Sequence, residues 1–235
     1  MPTPLGDDVP LQRLLPVEAV TRCATLQHWV AENAKTCRAF LKRVGAVQPL
    51  TLPLQQIDIV ELPKHQALTA QAARALLAPA VAGHDMGLVS EAGAPGVADP
   101  GAAVVAAAHA LGIAVQPWVG PSSLLLALMA SGLNGQQFAF HGYLPREAAA
   151  RGHKLQQLEA DSARLAQTQL FIETPYRNDA LLAALLQALK PATRVGVAAG
   201  LTTAQQWLCT RAVADWRLAP MPALHGVPTV FSLLA

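Results

Sequence analysis

Four short segments of this 235-residue chain hold the side chains and backbone groups that could do chemistry. The first reads Leu88-Val89-Ser90-Glu91-Ala92-Gly93-Ala94-Pro95-Gly96-Val97-Ala98-Asp99-Pro100-Gly101. An apolar strand runs into a loop of glycine and alanine, whose small side chains let a ligand lie against the backbone. The loop feeds a helix start, with Asp99 expected as N-cap and Pro100 at the first helical position. The competing reading is a tight strand-to-helix turn that touches no ligand. The second segment, Val119-Gly120-Pro121-Ser122-Ser123, puts hydroxyls and amides at a helix start, suited to the polar groups of a small ligand. The third, Phe171-Ile172-Glu173-Thr174-Pro175-Tyr176-Arg177, places Glu173 at a strand tip, with Thr174 expected to cap a helix that Pro175 begins. In the fourth, Ala31-Glu32-Asn33-Ala34-Lys35-Thr36-Cys37-Arg38, a strand tip leads into a basic helix continuing to Lys42 and Arg43. At about 100° per residue, Lys35, Arg38 and Lys42 fall within about 60° of one another and Arg43 lies about 80° aside. Such a stripe suits phosphate, although solvated charged faces look the same.

Other chemistries find little support. No His pairs with a Cys, His or carboxylate at metal spacing, so no metal is expected. There is no G-x-S-x-G nucleophile elbow, no P-loop and no dinucleotide fingerprint. His141, at a strand tip, and His65, in the loop Pro63-Lys64-His65, are the histidines best placed to face a cleft. The three cysteines, Cys23, Cys37 and Cys209, show no C-x-x-C spacing and fit reduced thiols in a cytoplasmic protein.

The elements that must position these segments alternate between strand and helix. Strands are expected over 28–32, 57–62, 86–90, 113–118, 137–142, 169–173, 194–199, 206–211 and 228–233. Helices are expected over 34–44, 69–82, 102–111, 121–132, 147–166 and 177–189. Short apolar runs followed by helices imply a parallel sheet with helical crossovers, an α/β architecture. The Gly120-Pro121 pair marks the seam between an N-terminal α/β domain, 1–119, and a C-terminal α/β domain, 120–235. The opening Pro2-Thr3-Pro4-Leu5-Gly6-Asp7 reads as the loop after a first strand, so either the fold starts with a loop or a strand upstream of Met1 is missing from this chain.

Composition narrows the class further. Of all residues, 52% are hydrophobic and only 14% charged, which excludes a disordered chain. Residues 100–145 carry no Asp, Glu, Lys or Arg. Gly120-Pro121, Asn134, Gln136 and Gln137 nevertheless break that stretch, and no uninterrupted apolar run reaches the roughly 18–20 residues of a membrane span. Asp7 and Asp8 stand where a signal peptide would be basic and then apolar. No membrane association and a cytoplasmic location are expected. A net charge of +2 neither requires nor forbids nucleic acid, because a local stripe suffices.

Taken together, five segments resemble one family. Glu91-Ala92-Gly93-Ala94-Pro95-Gly96-Val97-Ala98-Asp99-Pro100-Gly101 is similar to the S-D-A-G-x-P-x-x-x-D-P-G loop of the tetrapyrrole methylase superfamily, in the branch containing ribosomal RNA small subunit methyltransferase I. Gly120-Pro121-Ser122-Ser123 resembles its G-P-S-A/S turn. Phe140-His141-Gly142-Tyr143-Leu144-Pro145 resembles its F-x-G-F-L-P, and Glu173-Thr174-Pro175-Tyr176-Arg177 its E-T-P-H/Y-R. Thr3-Pro4-Leu5-Gly6-Asp7 is similar to its opening T-P-I-G-N. The resemblance implies a two-domain tetrapyrrole-methylase-like fold, with a mainly parallel N-terminal sheet and a mixed-sheet C-terminal domain. It also implies a homodimer that binds S-adenosyl-L-methionine in a cleft between the domains. The family's cofactor contacts carry over to Leu5, Gly93, Ala94, Val97, Ser122 and Ser123, and to Ile172, Ala199 and Pro228.

The implied activity is methyl transfer from S-adenosylmethionine, with the ribose 2′-OH of ribosomal RNA as acceptor. Glu32 is the candidate general base, with Lys35 and Arg38 orienting phosphate on the stripe Lys35, Arg38, Lys42 and Arg43. Glu91 and Glu173 are further carboxylate candidates. Two segments depart from the branch. It has A-E-D-T-R where this chain has Ala31-Glu32-Asn33-Ala34-Lys35, and A-R-E-x-T-K where this chain has Ala198-Ala199-Gly200-Leu201-Thr202-Thr203. The chain also stops short of the C-terminal extension of the longer enzymes. The alternatives are therefore a small heterocyclic methyl acceptor, or a non-catalytic relative that binds cofactor or RNA.

Overall fold

The computed structural model describes residues 1–63 and 69–235, so His65 lies outside the described residues. Two compact units divide the chain, Met1–Ser122 and Ser123–Ala235.

In the first unit, strands β1 (His28–Ala31), β2 (Asp58–Glu61) and β3 (Met86–Val89) form a parallel sheet in the order β2-β1-β3. Helices α1 (Val17–Thr25), α2 (Ala34–Gly45), α3 (Ala70–Leu76), α4 (Ala78–Val81) and α5 (Ala102–Ala110) surround it. Alternate side chains of a strand point to opposite faces, and β1 divides its residues accordingly. Trp29 and Ala31 join the cluster with Cys37, Phe40, Leu41 and Val44 of α2, whereas Val30 joins Ala73, Val104 and Ala107. Gly87 of β3 lies under the Trp29 ring, where an added Cβ would come within 2.3 Å of an indole carbon.

In the second unit, β4 (Phe138–Tyr143), β5 (Thr168–Ile172), β6 (Arg194–Ala199), β7 (Trp207–Ala212) and β8 (Thr229–Leu234) are ordered β4-β5-β8-β6-β7. Only β4 and β5 run parallel; the other pairs are antiparallel. Helices α6 (Ser123–Ser131), α7 (Ala148–Leu165), α8 (Asn178–Ala188) and α9 (Val213–Leu218) complete it. Its core gathers Leu155, Leu181, Leu185, Val195, Trp216 and Phe231 in one cluster.

The fold is the expected α/β class, with a parallel first sheet and a mixed second one. Three local expectations fail. The helix expected over 69–82 is two helices, because Pro79 supplies no N–H and its ring crowds the preceding turn, so α4 starts anew after Leu77. Helix α5 begins at Ala102 with Gly101 at its N-cap, φ 130°, and not Asp99; a backbone turn that only glycine readily adopts displaces the side-chain cap. Residues 113–118 alternate as a strand would, yet pair with no strand among the described residues. Their one backbone bond is Ile113 N–H to the Ala108 carbonyl, 2.9 Å. A strand exists only through a partner edge, and among the described residues none lies beside this segment.

Candidate functional site

Within the first unit, three of the singled-out segments come together beyond the carboxyl end of the sheet. Thr3, 3% exposed, pairs with Gly93 through both backbone bonds: Thr3 N–H to Gly93 O at 2.9 Å and Gly93 N–H to Thr3 O at 3.1 Å. The Thr3 hydroxyl donates to the Ser90 carbonyl at 3.4 Å. A Cβ on Gly93 would lie 3.3 Å from Leu5 Cδ2 and 3.8 Å from the Pro121 carbonyl oxygen. Gly120 packs so closely on Pro2 that a Cβ there would approach its ring to 2.3 Å. The opening Thr3-Pro4-Leu5, the glycine-rich loop and the Gly120-Pro121-Ser122 turn thus form one cradle, with Ser123 opening α6 next in the chain.

The loop at its centre is tightly coiled. Gly93, Gly96 and Gly101 have positive φ, and so does Ala98 at 64°, a conformation that residues with a Cβ rarely adopt. Ala94 is half-buried and Val97 half-exposed. Small side chains and left-handed turns leave the main chain as the surface a ligand would meet, which is how backbone groups come to hold polar ligands.

Three carboxylates stand at this rim. Glu32 extends from the tip of β1, and one oxygen accepts the Glu91 N–H at 3.1 Å. Its other oxygen has no protein partner among the described residues. Glu32 therefore ties the loop after β3 to the end of β1 while keeping one acceptor open. Asp99, half-buried, is pushed up to about 6; burial is the main cause, opposed by a hydrogen bond with the Ser90 hydroxyl and reinforced by Glu32 and Glu91. The sequence around Asp99 reads as a helix cap, and no local pattern signals a shifted carboxyl. The signal is three acids brought to two neighbouring strand tips.

Helix α2 starts beside this rim. Asn33 caps it, its Oδ1 accepting from Lys35 N–H at 2.9 Å and Thr36 N–H at 3.4 Å, and Glu61 accepts the Ala34 N–H at 2.6 Å. The Asn33 side chain is thereby committed to the helix end. Lys35, Arg38 and Lys42 are exposed on α2 and make no ion pair among the described residues. Arg43 departs from the expected stripe. Its guanidinium turns to the N-terminal segment, donating to Val9 O at 2.6 Å, Asp7 Oδ1 at 3.0 Å and Gly6 O at 3.4 Å. It braces the approach to Leu5, as its 80° offset on the helix allows.

The second unit gathers the remaining segments. Ile172 pairs with Val230, and Ala199 pairs with Thr229 beside Pro228, so all three family-implied positions lie at one end of the sheet. The Gly200 N–H donates to Pro228 O at 2.9 Å. A cavity of about 420 Å³ opens there, lined by Ala199, Gln205, Trp207, Ala223, Leu224 and Val227, within the usual range for small-ligand pockets. Asn178, fully buried, donates to the Val227 carbonyl at 2.7 Å, and its Oδ1 has no partner among the described residues. The loop after Ala199 closes on itself: Thr203 Oγ1 donates to Gly200 O at 2.7 Å, and Thr202 N–H to Gln206 Oε1 at 2.8 Å. Thr202 sits at φ 68°, with its hydroxyl oxygen buried and unpartnered among the described residues.

Glu173 is not a free base. It pairs with Arg177 at 2.9 Å, and one oxygen accepts the Thr174 N–H at 2.8 Å. The Thr174 hydroxyl also donates to Glu173, so Thr174 supplies no helix cap of its own. His141 is bonded to Gln169 Oε1 at 2.6 Å. The thiols of Cys23 and Cys37 are pushed up to about 12, chiefly by burial, and so are protonated and unreactive.

A family model described as tetrapyrrole (corrin/porphyrin) methylases matches residues 17–214. The chain is 32% identical to ribosomal RNA small subunit methyltransferase I of Mesorhizobium japonicum over 218 residues, 91% of this chain and 67% of that protein. The protein of the same name from Xylella fastidiosa is 35% identical over 147 residues, 63% of this chain and 48% of its own length. That from Escherichia coli O157:H7 is 30% identical over 179 residues, 75% and 55%. The chain thus spans about half to two thirds of these relatives. Among solved structures, the methyltransferase CobJ superposes with a TM-score of 0.57 at 18% identity, over 95% of this chain and 89% of CobJ. A CobF-related protein of Corynebacterium diphtheriae gives 0.55 at 17% identity, over 98% and 95%; both likenesses concern the fold.

Proposed function

Because the chain belongs to the tetrapyrrole (corrin/porphyrin) methylases, we propose that it is an S-adenosyl-L-methionine-dependent methyltransferase acting on ribosomal RNA of the small subunit. The observation that carries this reading is the cradle in which three separate segments meet: paired backbone bonds join Thr3 to Gly93, and Leu5 and Pro121 pack against Gly93. The residues present suit this cofactor. Main chain and small apolar groups would hold its uncharged parts, and the unpartnered Asn178 Oδ1 near the 420 Å³ cavity offers a buried acceptor. We assign cofactor contact to Leu5, Gly93, Ala94, Val97 and Ser122 in the first unit, and to Ser123, Ile172, Ala199 and Pro228 in the second.

The bound cofactor supplies an electrophilic methyl group on a sulfonium. The protein's task is then to hold the acceptor oxygen in line and keep water away. Glu32 takes the acceptor's proton on its open oxygen, while the oxygen bonded to Glu91 N–H fixes the carboxylate's direction. Lys35 and Arg38, exposed at the start of α2 and free of ion pairs among the described residues, orient the RNA phosphates, with Lys42 extending the stripe. A homodimer is part of the same reading: α6 carries no charge and leaves Leu125 and Met129 exposed, apolar surface that a second copy would cover.

Calorimetry with S-adenosylmethionine, followed by tritiated methyl transfer to RNA from a strain lacking the gene, tests the proposal. Micromolar binding and label in small-subunit RNA are expected. Absence of cofactor binding overturns the enzyme. Binding without transfer to any RNA or small-molecule pool would favour a non-catalytic relative, a reading that the committed Asn33 side chain and the self-closed 200–206 loop support. Label in a small heterocycle instead of RNA would reassign the acceptor.

A further inference from the structure

Strand β4 is an edge strand of the second sheet, paired with β5 alone among the described residues. None of its six residues is buried, yet Phe138, Phe140 and Tyr143 are among them in a chain only 5% aromatic. Residues paired across neighbouring strands share a face. Phe138 pairs with Thr168, Phe140 with Leu170 and Tyr143 with Ile172. All three rings therefore lie on the face opposite Phe171, Phe231 and the single core. Helix α6 covers that second face over β8, β6 and β7; β4 lies on the far side, beyond β5.

A bulge produces this alignment. Plain alternation from Phe140 would turn Tyr143 to the core face. Between the two paired positions β4 holds one residue more than β5, and Gly142 takes φ 63° there. No atom lies within 4 Å of where a Gly142 Cβ would stand, so the backbone turn, and not crowding, calls for glycine. Bulges at sheet edges re-aim side chains, and this one leaves Tyr143 62% exposed, with Phe138 at 43%. A ring turned outward forgoes its burial, which an occupant of that face restores.

Cations begin where the row ends. Arg146 follows Tyr143 by three residues, at most about 11 Å of chain. Arg151 and Lys154 stand on the first turns of α7, about 60° apart around its axis. Glu147 is the one acid in residues 133–158. Both its oxygens cap the helix, accepting Ala149 N–H at 2.8 Å and Ala150 N–H at 2.6 Å. Arg151 feels that carboxylate but is not paired with it. Its Nη1 donates to the Arg146 carbonyl at 3.1 Å, and its Nε is buried without a partner among the described residues. Arg146 and Lys154 likewise make no ion pair among the described residues.

We propose that β4 and the start of α7 bind single-stranded RNA. Unpaired bases stack on Tyr143 and along the row to Phe138, and Arg146, Arg151 and Lys154 take the phosphates that follow. The proposal rests on the reading of the substrate as RNA, and it adds a base-stacking surface to the phosphate contacts assigned to α2. Rings on an open sheet face stack bases of any kind, and cations at the end of the row hold the backbone. A duplex is a poor occupant, because its bases already stack on one another. Charge argues against a second copy of the chain. Laid on β4 about a twofold axis, it would set these cations against its own residues 133–145, which hold no carboxylate.

The test uses the full chain without cofactor and two fluorescein-labelled probes, a single-stranded RNA of about 16 nucleotides and its duplex. Anisotropy titrations run from about 50 to 200 mM salt. The unmodified chain is expected to prefer the single strand at least tenfold. Tyr143→Ala should weaken single-strand binding about tenfold at every salt concentration, with the slope of log affinity against log salt unchanged, and Tyr143→Phe should restore it. Arg146→Gln with Lys154→Gln should lower that slope by about 1.4, the share of two phosphates on a single strand, at an unchanged melting temperature. Unaltered affinity in Tyr143→Ala overturns the proposal, and so does an unaltered slope in the double variant. A dimer that Tyr143→Ala converts to monomer in sedimentation also overturns it, by giving the row to a second copy. RNA binding that responds only to Arg38→Glu with Lys42→Glu removes this site and leaves the substrate reading intact. No binding of either probe by the unmodified chain removes both.

Discussion

The two units solve the problem of burying a sheet differently. In the second, seventeen buried residues form one cluster, and Phe171 and Phe231 stack across it at 6.2 Å. In the first, β1 sends Trp29 and Ala31 to one cluster of fourteen and Val30 to another of seven. A parallel sheet covered on both faces has two half-cores, each too small to tolerate much error. What the first unit gains is a row of strand tips facing one way, and there Glu32, Glu91 and Asp99 collect. The second unit concentrates packing; the first concentrates polar groups.

Removing the centrepiece of the single core is the sharpest way to break this contrast. Trp216 is fully buried, donates to the Val195 carbonyl at 2.9 Å and carries Arg211 over its ring at 5.4 Å. Trp216→Ala is expected to cost about 4 kcal/mol, the usual scale for a buried aromatic, as read by urea unfolding. A loss under about 1 kcal/mol would mean that the second unit does not depend on one cluster.

The matching change in the first unit adds atoms. At Gly87 a side chain must enter the space of the Trp29 indole, 2.3 Å from the nearest carbon. The ring cannot swing aside as a flexible chain end would, and overpacking of this kind costs about 3 kcal/mol. Gly87→Val should lose that amount and shift the near-ultraviolet signal of Trp29. Full tolerance would show that the half-cores are looser than their burial implies.

These two sites also show what was legible in the chain. Strands β1, β3 and β6 were readable because each is a short apolar run with turn residues on both sides. Residues 113–118 have the same pattern and fail, because alternation describes a strand's faces and says nothing of whether a partner edge exists. Leu5, Gly93 and Ser122 could be named from motifs, but their meeting depends on Thr3 pairing with Gly93 across ninety positions of sequence. The role of Arg43 was hidden for a different reason. Angular position on a helix sorts charges by direction, and only the path of residues 6–9 reveals carbonyls waiting there. Glu173 looked free at a strand tip because the sequence cannot show Arg177 folding back onto it.

The carboxylate rim gives a smaller and pH-dependent effect. Asp99 is held near 6 in the folded protein, against about 4 for an ordinary aspartate. Its folded pKa is the higher one, so the folded state keeps a proton that the unfolded state has released. Its contribution is complete below about pH 4 and is lost as the pH rises through about 6. Asp99→Asn should flatten stability across that window and be slightly stabilising at pH 7. Because the group is half-exposed, the gain is about 1 kcal/mol after solvent screening. The NMR titration of Asp99 supplies the direct check, and a midpoint near 4 would dissolve the idea of a crowded rim.

The smallest effect on stability is expected where the effect on binding is largest. Arg38→Glu with Lys42→Glu alters two exposed side chains that make no ion pair among the described residues, so stability should stay within about 0.5 kcal/mol. If α2 faces RNA, each lost phosphate contact lowers the slope of log affinity against log salt by about one. The double reversal should therefore cut that slope by about two or more and weaken binding at low salt. Arg43→Ala is the counterpart on the same helix. It should leave the salt slope unchanged, because its guanidinium holds Val9, Asp7 and Gly6, and it should instead loosen the segment leading to Leu5, seen as faster amide exchange at Thr3. Should Arg43→Ala change the salt slope and the double reversal leave it alone, the division between a bracing arginine and a phosphate-facing stripe is reversed, and α2 binds RNA through its other side.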